Sequence, residues 1–285
     1  MVTKKIELNT DNNVIRVDQG VFRYLSVALP ASQKHEKLDV IVKDKSQNGM
    51  GIKTKDGLNI NDLFTLFQLI HDHKIHSKEY ETTGLIDGKR VLRRKIAISD
   101  LCKERNIGTD KRNRKTIAES IYRWYQAEII LVQKDKLIFT RYIFKFEVDK
   151  DFSFVDFSIN EKFIELCEEH GLIFSFKNLL VYENIQDKKL MHYKNYAIKL
   201  HIYLQSQKIK KRKKFYFRSQ FSEEELFEAS GIKALNLPLK TKRKYLKHAL
   251  YLLHNFGGLP MYEFDKERQI YKRANYTVLP KNKTR

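Results

Sequence analysis

The chain has 285 residues, 42% of them hydrophobic and 12% aromatic, and a formal charge of +20 at pH 7. That apolar content supports one large core or two ordinary ones and excludes wholesale disorder. The cysteines, Cys102 and Cys167, lie too far apart for a Cys-x-x-Cys metal or redox motif and cannot form a disulfide framework.

No apolar run of about 18 residues is present for a membrane span. Residues 1–5 lead into polar sequence without a signal-peptide core, so a cytoplasmic location is expected. With only 11 Gly and 4 Pro, loops should be few and helices long. A pI of 9.7 calls for a polyanionic partner, and nucleic acid is the commonest.

Residues 1–57 read as a β-rich segment. Short apolar or alternating runs at 14–17, 21–27 and 38–42 are punctuated by Asn12-Asn13, Gly20 and Asn48-Gly49. From residue 58 the period changes: Leu63, Phe64, Leu66, Phe67 and Ile70 follow a helical spacing, with Asn59 or Asn61 as cap. A basic extended stretch at 89–98 precedes a short helix capped by Ser99 and ended near Gly108. A further helix over 110–126 carries the apolar stripe Ile117, Ile121, Trp124 and Tyr125. Runs at 128–132 and 137–144 read as a hairpin.

After a strand at 152–159 and a helix at 160–170, a long helix is predicted over about 188–207, with Leu190, Tyr193, Ala197, Leu200 and Leu204 inward. Residues 215–217 form a short strand. Ser222-Glu223-Glu224-Glu225 has the form of a capping box and opens a short helix ending at Gly231. A longer helix covers about 240–256 and stops at Gly257-Gly258. Strands at 261–264 and 269–272 make a closing hairpin.

The two series share one order. Long helices start near 60 and 188, short helices at 99 and 222, third helices at 112 and 240, and hairpins at 128 and 260. Long helix, short helix, third helix, hairpin is the order of a winged helix. The fold class expected is therefore α+β, with a β-rich segment at 1–57, a first winged-helix domain at 58–150 and a second at 151–285.

Charge placement carries the functional reading. Recognition helices meet base edges in the major groove with their N-terminal residues. In the first unit Lys111, Arg112, Asn113, Arg114 and Lys115 crowd that end; Arg matches guanine and Asn113 would match adenine. In the second unit Lys240, Arg243, Lys244 and Lys247 share a face, with Lys242 beside them. Leu246, Ala249, Leu250 and Leu253 lie on another face, and no acid occurs from 240 to 262. The block 208–218 holds seven basic residues and no acid; Lys210, Lys211, Arg212 and Lys213 are its candidate phosphate contacts. Lys272 and Arg273 are the candidates in the closing hairpin.

Catalytic patterns are weak. Gly84, Gly88 and Lys89 lack Walker A spacing, so no nucleotide cofactor is expected. His71-Asp72-His73 departs from the His-hydrophobic-His metal site of nicking initiators and sits in a predicted helix. The pair Tyr122 and Tyr125 fits packing better than catalysis. No enzymatic activity and no metal are expected.

The stretches 157–166 and 193–204, Ala229-Ser230-Gly231-Ile232 and Leu250-Tyr251-Leu252-Leu253 together resemble the plasmid replication initiators that carry tandem winged-helix domains and bind iterons, the direct repeats of an origin. The resemblance spans residues 58–278, as apolar spacing with few fixed residues; residues 1–57 are longer than that family's usual lead-in. It implies a double-stranded DNA partner and origin opening assisted by DNA bending. It also implies a homodimer for self-repression and contact with the host replicative helicase or initiator. The alternatives are a winged-helix transcription regulator using the same surface and a metal-dependent nicking initiator.

Overall fold

Burial of the alternating and helical apolar faces produces fifteen strands and seven helices among the described residues. The structure is a computed structural model. It describes residues 14–18, 28–31, 35, 37–43, 49–86, 88–133, 136–161, 164, 171–175, 179–183, 185, 187–207, 209–211 and 214–274. The strand read at 21–27 and most of the helix read at 160–170 lie outside them.

In chain order the first part contains β1 (Val14–Asp18), β2 (Asp39–Lys43), β3 (Gly49–Lys53), α1 (Asp62–His76), β4 (Glu81–Ile86), β5 (Lys89–Ala97), α2 (Ile98–Glu104), α3 (Lys111–Gln126), β6 (Glu128–Gln133), β7 (Lys136–Thr140), β8 (Ile143–Val148) and β9 (Phe154–Asn160). The second contains β10 (Gly171–Ser175), α4 (Lys188–Met191), α5 (Lys194–Ser206), β11 (Ile209–Lys211), β12 (Lys214–Tyr216), β13 (Gln220–Ser222), α6 (Glu223–Ser230), α7 (Leu239–Asn255), β14 (Tyr262–Asp265) and β15 (Ile270–Arg273). Every strand pairing among the described residues is antiparallel, so the class is mixed α+β as expected.

The sheets redraw the boundaries read from sequence. β2 and β3 join β6 and β7 in the order β2-β3-β6-β7, with Ile52 opposite Ile129. The N-terminal segment is thus part of a sheet with residues 128–140 rather than a separate lead-in. The run 137–144 breaks at Arg141 and Tyr142; the Tyr142 side chain is fully buried, and the chain leaves it into a second sheet, β4-β5-β9-β8. β9, assigned by sequence to the second unit, pairs with β5 and β8 of the first. A division at 150/151 falls inside the β8–β9 turn.

The internal repeat is also redrawn. In the second part the strand before α6 pairs with the second strand of the closing hairpin, giving β13-β15-β14. In the first part the strand before α2 is β5, and its order is β5-β9-β8. The hairpin equivalent to β14–β15 is therefore β8–β9, and β6–β7 is an addition that binds the N-terminal strands. Sequence spacing missed this because β6–β7 is also a good hairpin and comes first.

Local chemistry explains the helix ends. Asp110 caps α3 by accepting from the Asn113 N–H at 3.1 Å. α2 has Ala97 rather than Ser99 at its N-cap; the Ile98 N–H is satisfied by the Ser153 carbonyl, supplied by the β8–β9 turn. Ser222 caps α6 through the Glu225 N–H. The reciprocal arm of the capping box is not made, because the Glu225 carboxylate accepts from Tyr203 and Arg218, each at 2.6 Å. Gly231 ends α6 at φ 79°, a left-handed conformation that favours glycine. The predicted helix 188–207 is two helices, α4 and α5, with His192 and Tyr193 between them.

One apolar cluster runs through both parts, from Leu29 and Phe64 through Trp124, Phe157 and Leu200 to Leu253. α3 is pinned to α1 by Asp62, whose carboxylate accepts from Ser120 at 2.6 Å and from Arg123 at 2.8 Å, while the Trp124 indole donates to the Asp62 carbonyl. α7 lies on α5 through Leu246, Ala249, Leu250 and Leu253, the apolar face read from sequence.

Candidate nucleic-acid interface

Helical geometry places residues 111, 112, 115, 119 and 122 on one side of α3, and all five are exposed. The cations at its start divide by partner. Arg112 is exposed and makes no ion pair among the described residues. Lys111 reaches Asp151 of the β8–β9 turn at 3.2 Å, and Lys115 lies 3.7 Å from Glu119; both pairs are solvent-exposed. Such pairs are worth little and exchange readily for another anion.

Two residues predicted to read bases face inward instead. Asn113 donates its amide to Gly108 O at 3.0 Å and to Asp110 at 2.7 Å, so its amide hydrogens hold the cap and turn. Arg114 is partly buried and donates to the Thr109 and Asp151 carbonyls, each at 3.3 Å. It staples the α2–α3 turn to the β8–β9 turn.

The second part repeats the division. Lys242 donates to the Lys233 carbonyl at 2.9 Å, tying α7 to the preceding turn as Arg114 ties α3. Arg243 is gripped by Glu223 through two bonds, at 2.9 and 3.0 Å, and lies over the Phe264 ring at 5.1 Å. Its hydrogen bond to Glu223 raises its pKa further. A bidentate pair of this kind is strong and directional, so Arg243 belongs to the contact between α6, α7 and the hairpin.

Lys240, Lys244 and Lys247 remain exposed and form no ion pair among the described residues. Tyr251, also exposed, extends their line at i, i+4, i+7 and i+11. Sequence reading missed Tyr251, although its spacing from Lys240 was available. Beside this stripe, His248 stacks on Tyr193 at 4.4 Å. Burial, then the charges of Lys244 and Lys247, lower its pKa.

In the closing hairpin Lys272 is paired with Asp265, and that bond lowers the Asp265 pKa. Arg273 is exposed, as are Lys266 and Arg268 in the turn. Within the basic block, β11 and β12 pair antiparallel, with Lys210 opposite Phe215 and Lys211 opposite Lys214. Arg212 and Lys213 fall outside the described residues, and for Lys210 and Lys211 the backbone alone is described.

Two arginines of the basic strand β5 are held by acids of the fold. Arg94 points inward to Asp72 at 2.9 Å and Glu79 at 2.8 Å, and Arg93 pairs with Asp156 of β9. The histidines of α1 are tied separately: His71 to Glu104, His76 to Glu79, and His73 edge-on to Tyr80. Tyr122 and Tyr125 pack on Phe146 of β8. Among the described residues no three His, Cys, Asp or Glu converge as a metal set, and no helix is long and apolar enough to cross a membrane.

No family model matches the chain, and no curated protein matches it. Solved structures do, two of RctB domains among them. One, domains 2–3 of RctB (residues 155–483), aligns at TM-score 0.50 and 13% identity over 81% of this chain and 81% of that one. A selenomethionine derivative of domains 2 and 3 of RctB aligns at TM-score 0.49 and 13% identity, over 82% and 85%. This chain shares the fold of those two RctB domains.

Proposed function

We propose that this chain is a sequence-specific double-stranded DNA-binding protein built from two winged-helix modules, and that it initiates plasmid replication by binding direct repeats of an origin. The observation that carries the DNA reading is the line Lys240, Lys244 and Lys247 on a helix whose opposite face is core and which bears no acid. A solvated helix face is ordinarily mixed in sign. A cationic helix mounted on a helix-turn-helix, with a hairpin alongside, matches the geometry of major-groove docking. Arg112, Lys115 and Lys111 offer the same on α3.

The strand orders β5-β9-β8 and β13-β15-β14 support two modules of one design. The resemblance to iteron-binding initiators supports replication as the process. In this reading the contacts are Lys111, Arg112 and Lys115 in one module and Lys240, Lys244, Lys247 and Arg273 in the other. Lys210, Lys211, Arg212 and Lys213 contact phosphate. Binding needs no cofactor, and the chain is not an enzyme. A homodimer and a host helicase contact belong to the same reading.

Footprinting across the DNA flanking the protein's own gene tests it. Protected direct repeats are expected. A single protected palindrome would make the chain a transcription regulator, metal-dependent strand cleavage a nicking enzyme, and absence of any footprint would refute DNA reading.

A further inference from the structure

The turn at residues 179–183 belongs to the second part of the molecule by packing. Leu179, Tyr182 and Ile185 are buried, and the Tyr182 hydroxyl meets His201 of α5 at 3.0 Å. The same hydroxyl would lie 2.2 Å from a Cβ at Gly257, two residues after α7. Tyr182 therefore seats this turn between α5 and the end of α7.

The next residue reaches the other way. Glu183, 14% exposed, accepts from Arg105 at 3.3 Å and lies 3.2 Å from Lys194, the first residue of α5. Arg105, 9% exposed, follows α2 in the helix-turn-helix of the first part and lies over the Phe64 ring of α1 at 5.4 Å. A buried carboxylate thus joins the turn that positions α3 to the helix that carries α7. Ion pairs that are nearly dry are stiff, because no water replaces a lost partner.

We propose that Glu183 and Arg105 are positioning residues that fix the separation and twist between the two DNA-reading helices, and so select the spacing between the two half-sites on DNA. This rests on the two-module reading above. Two base pairs inserted between half-sites move one groove by about 7 Å and about 70° relative to the other, which a rigid pair of modules cannot follow.

The test uses the full chain and two readouts. The first needs no DNA: spin labels at 115 and 247 (Lys115→Cys, Lys247→Cys, Cys167→Ser) report the inter-helix distance distribution. A narrow distribution is expected, broadened by Glu183→Gln, by Arg105→Gln, and no further by both together. The second measures affinity for the duplex protected beside the protein's own gene, with and without two inserted base pairs. Insertion should cost the unmodified protein at least about tenfold and the Gln variants less than about threefold.

Glu183→Asp, which keeps the charge but withdraws it by one methylene, supplies an intermediate case should Glu183→Gln fail to fold. An unchanged distance distribution, or unchanged spacing selectivity in variants whose distribution has broadened, overturns the proposal. If no duplex is protected, the DNA reading falls with its spacing claim, and the distance measurement alone judges the brace.

Discussion

Replacing Lys240, Lys244 and Lys247 together with Gln removes three exposed charges that have no ion-pair partner among the described residues. Each phosphate neutralised on B-DNA contributes about 0.9 to the slope of log affinity against log salt. If all three lysines meet phosphate, the slope becomes shallower by about 2.7. Between 50 and 200 mM salt, the unmodified protein then loses about 40-fold more affinity than the variant. Fluorescence anisotropy with a labelled duplex at four or five KCl concentrations measures this directly. The fold should be unaffected, since exposed substitutions away from caps and pairs change stability by about 0.5 kcal/mol or less. Arg243→Gln is the control with the opposite outcome: its guanidinium is held by Glu223, so it should lower the unfolding midpoint and leave the slope unchanged. A triple variant with an unaltered slope, or an Arg243 variant that flattens it, would refute the division of the α7 cations into free and engaged.

Other outcomes follow from buried contacts. Gly257→Ala places a methyl against Tyr182 and His201; overpacking and a broken buried hydrogen bond should cost about 2 to 5 kcal/mol in urea unfolding, and an unchanged midpoint would count against that packing. Asp62→Ala strands Arg123 and frees α3 from α1, and should cost about 3 to 5 kcal/mol by the same assay. For Glu183, burial raises the pKa, but Arg105 and Lys194 outweigh it and hold the group below its ordinary 4.5. Its contribution to stability is therefore complete above pH 4.5 and is lost as pH falls through the lower folded value. Glu183→Gln should remove that part of the acid destabilisation, and an identical pH profile in the variant would contradict it.

Elements whose signal is periodic were legible in the sequence: the apolar faces of α1, α3 and α7, the capping serine of α6 and the closing β14–β15 hairpin. Pairing between distant strands was not. Nothing local in residues 49–53 says that they lie beside 128–132, and nothing in 128–140 distinguishes this hairpin from the β8–β9 pair that joins β5. The site was half legible for a related reason. Arg112 and Arg114, or Lys240 and Arg243, are alike in sequence and differ only in what three-dimensional neighbours offer. Arg114 and Lys242 find turn carbonyls, Arg243 finds Glu223, and Lys240 finds solvent. The basic run in β5 shows the same limit, since Arg94 alternates inward and meets the carboxylates of α1 and the turn after it.

The strands of the N-terminal segment have consequences for how the chain comes off the ribosome. β1 pairs with β10, and the second edge of β3 pairs with β6, so these strands must wait for partners synthesised later. Until then they present unsatisfied backbone edges, the kind of surface that invites wrong associations and chaperone capture. Long-range closure of this sort slows folding. Assembly of these two sheets therefore waits until residues 128–133 and 171–175 have been made.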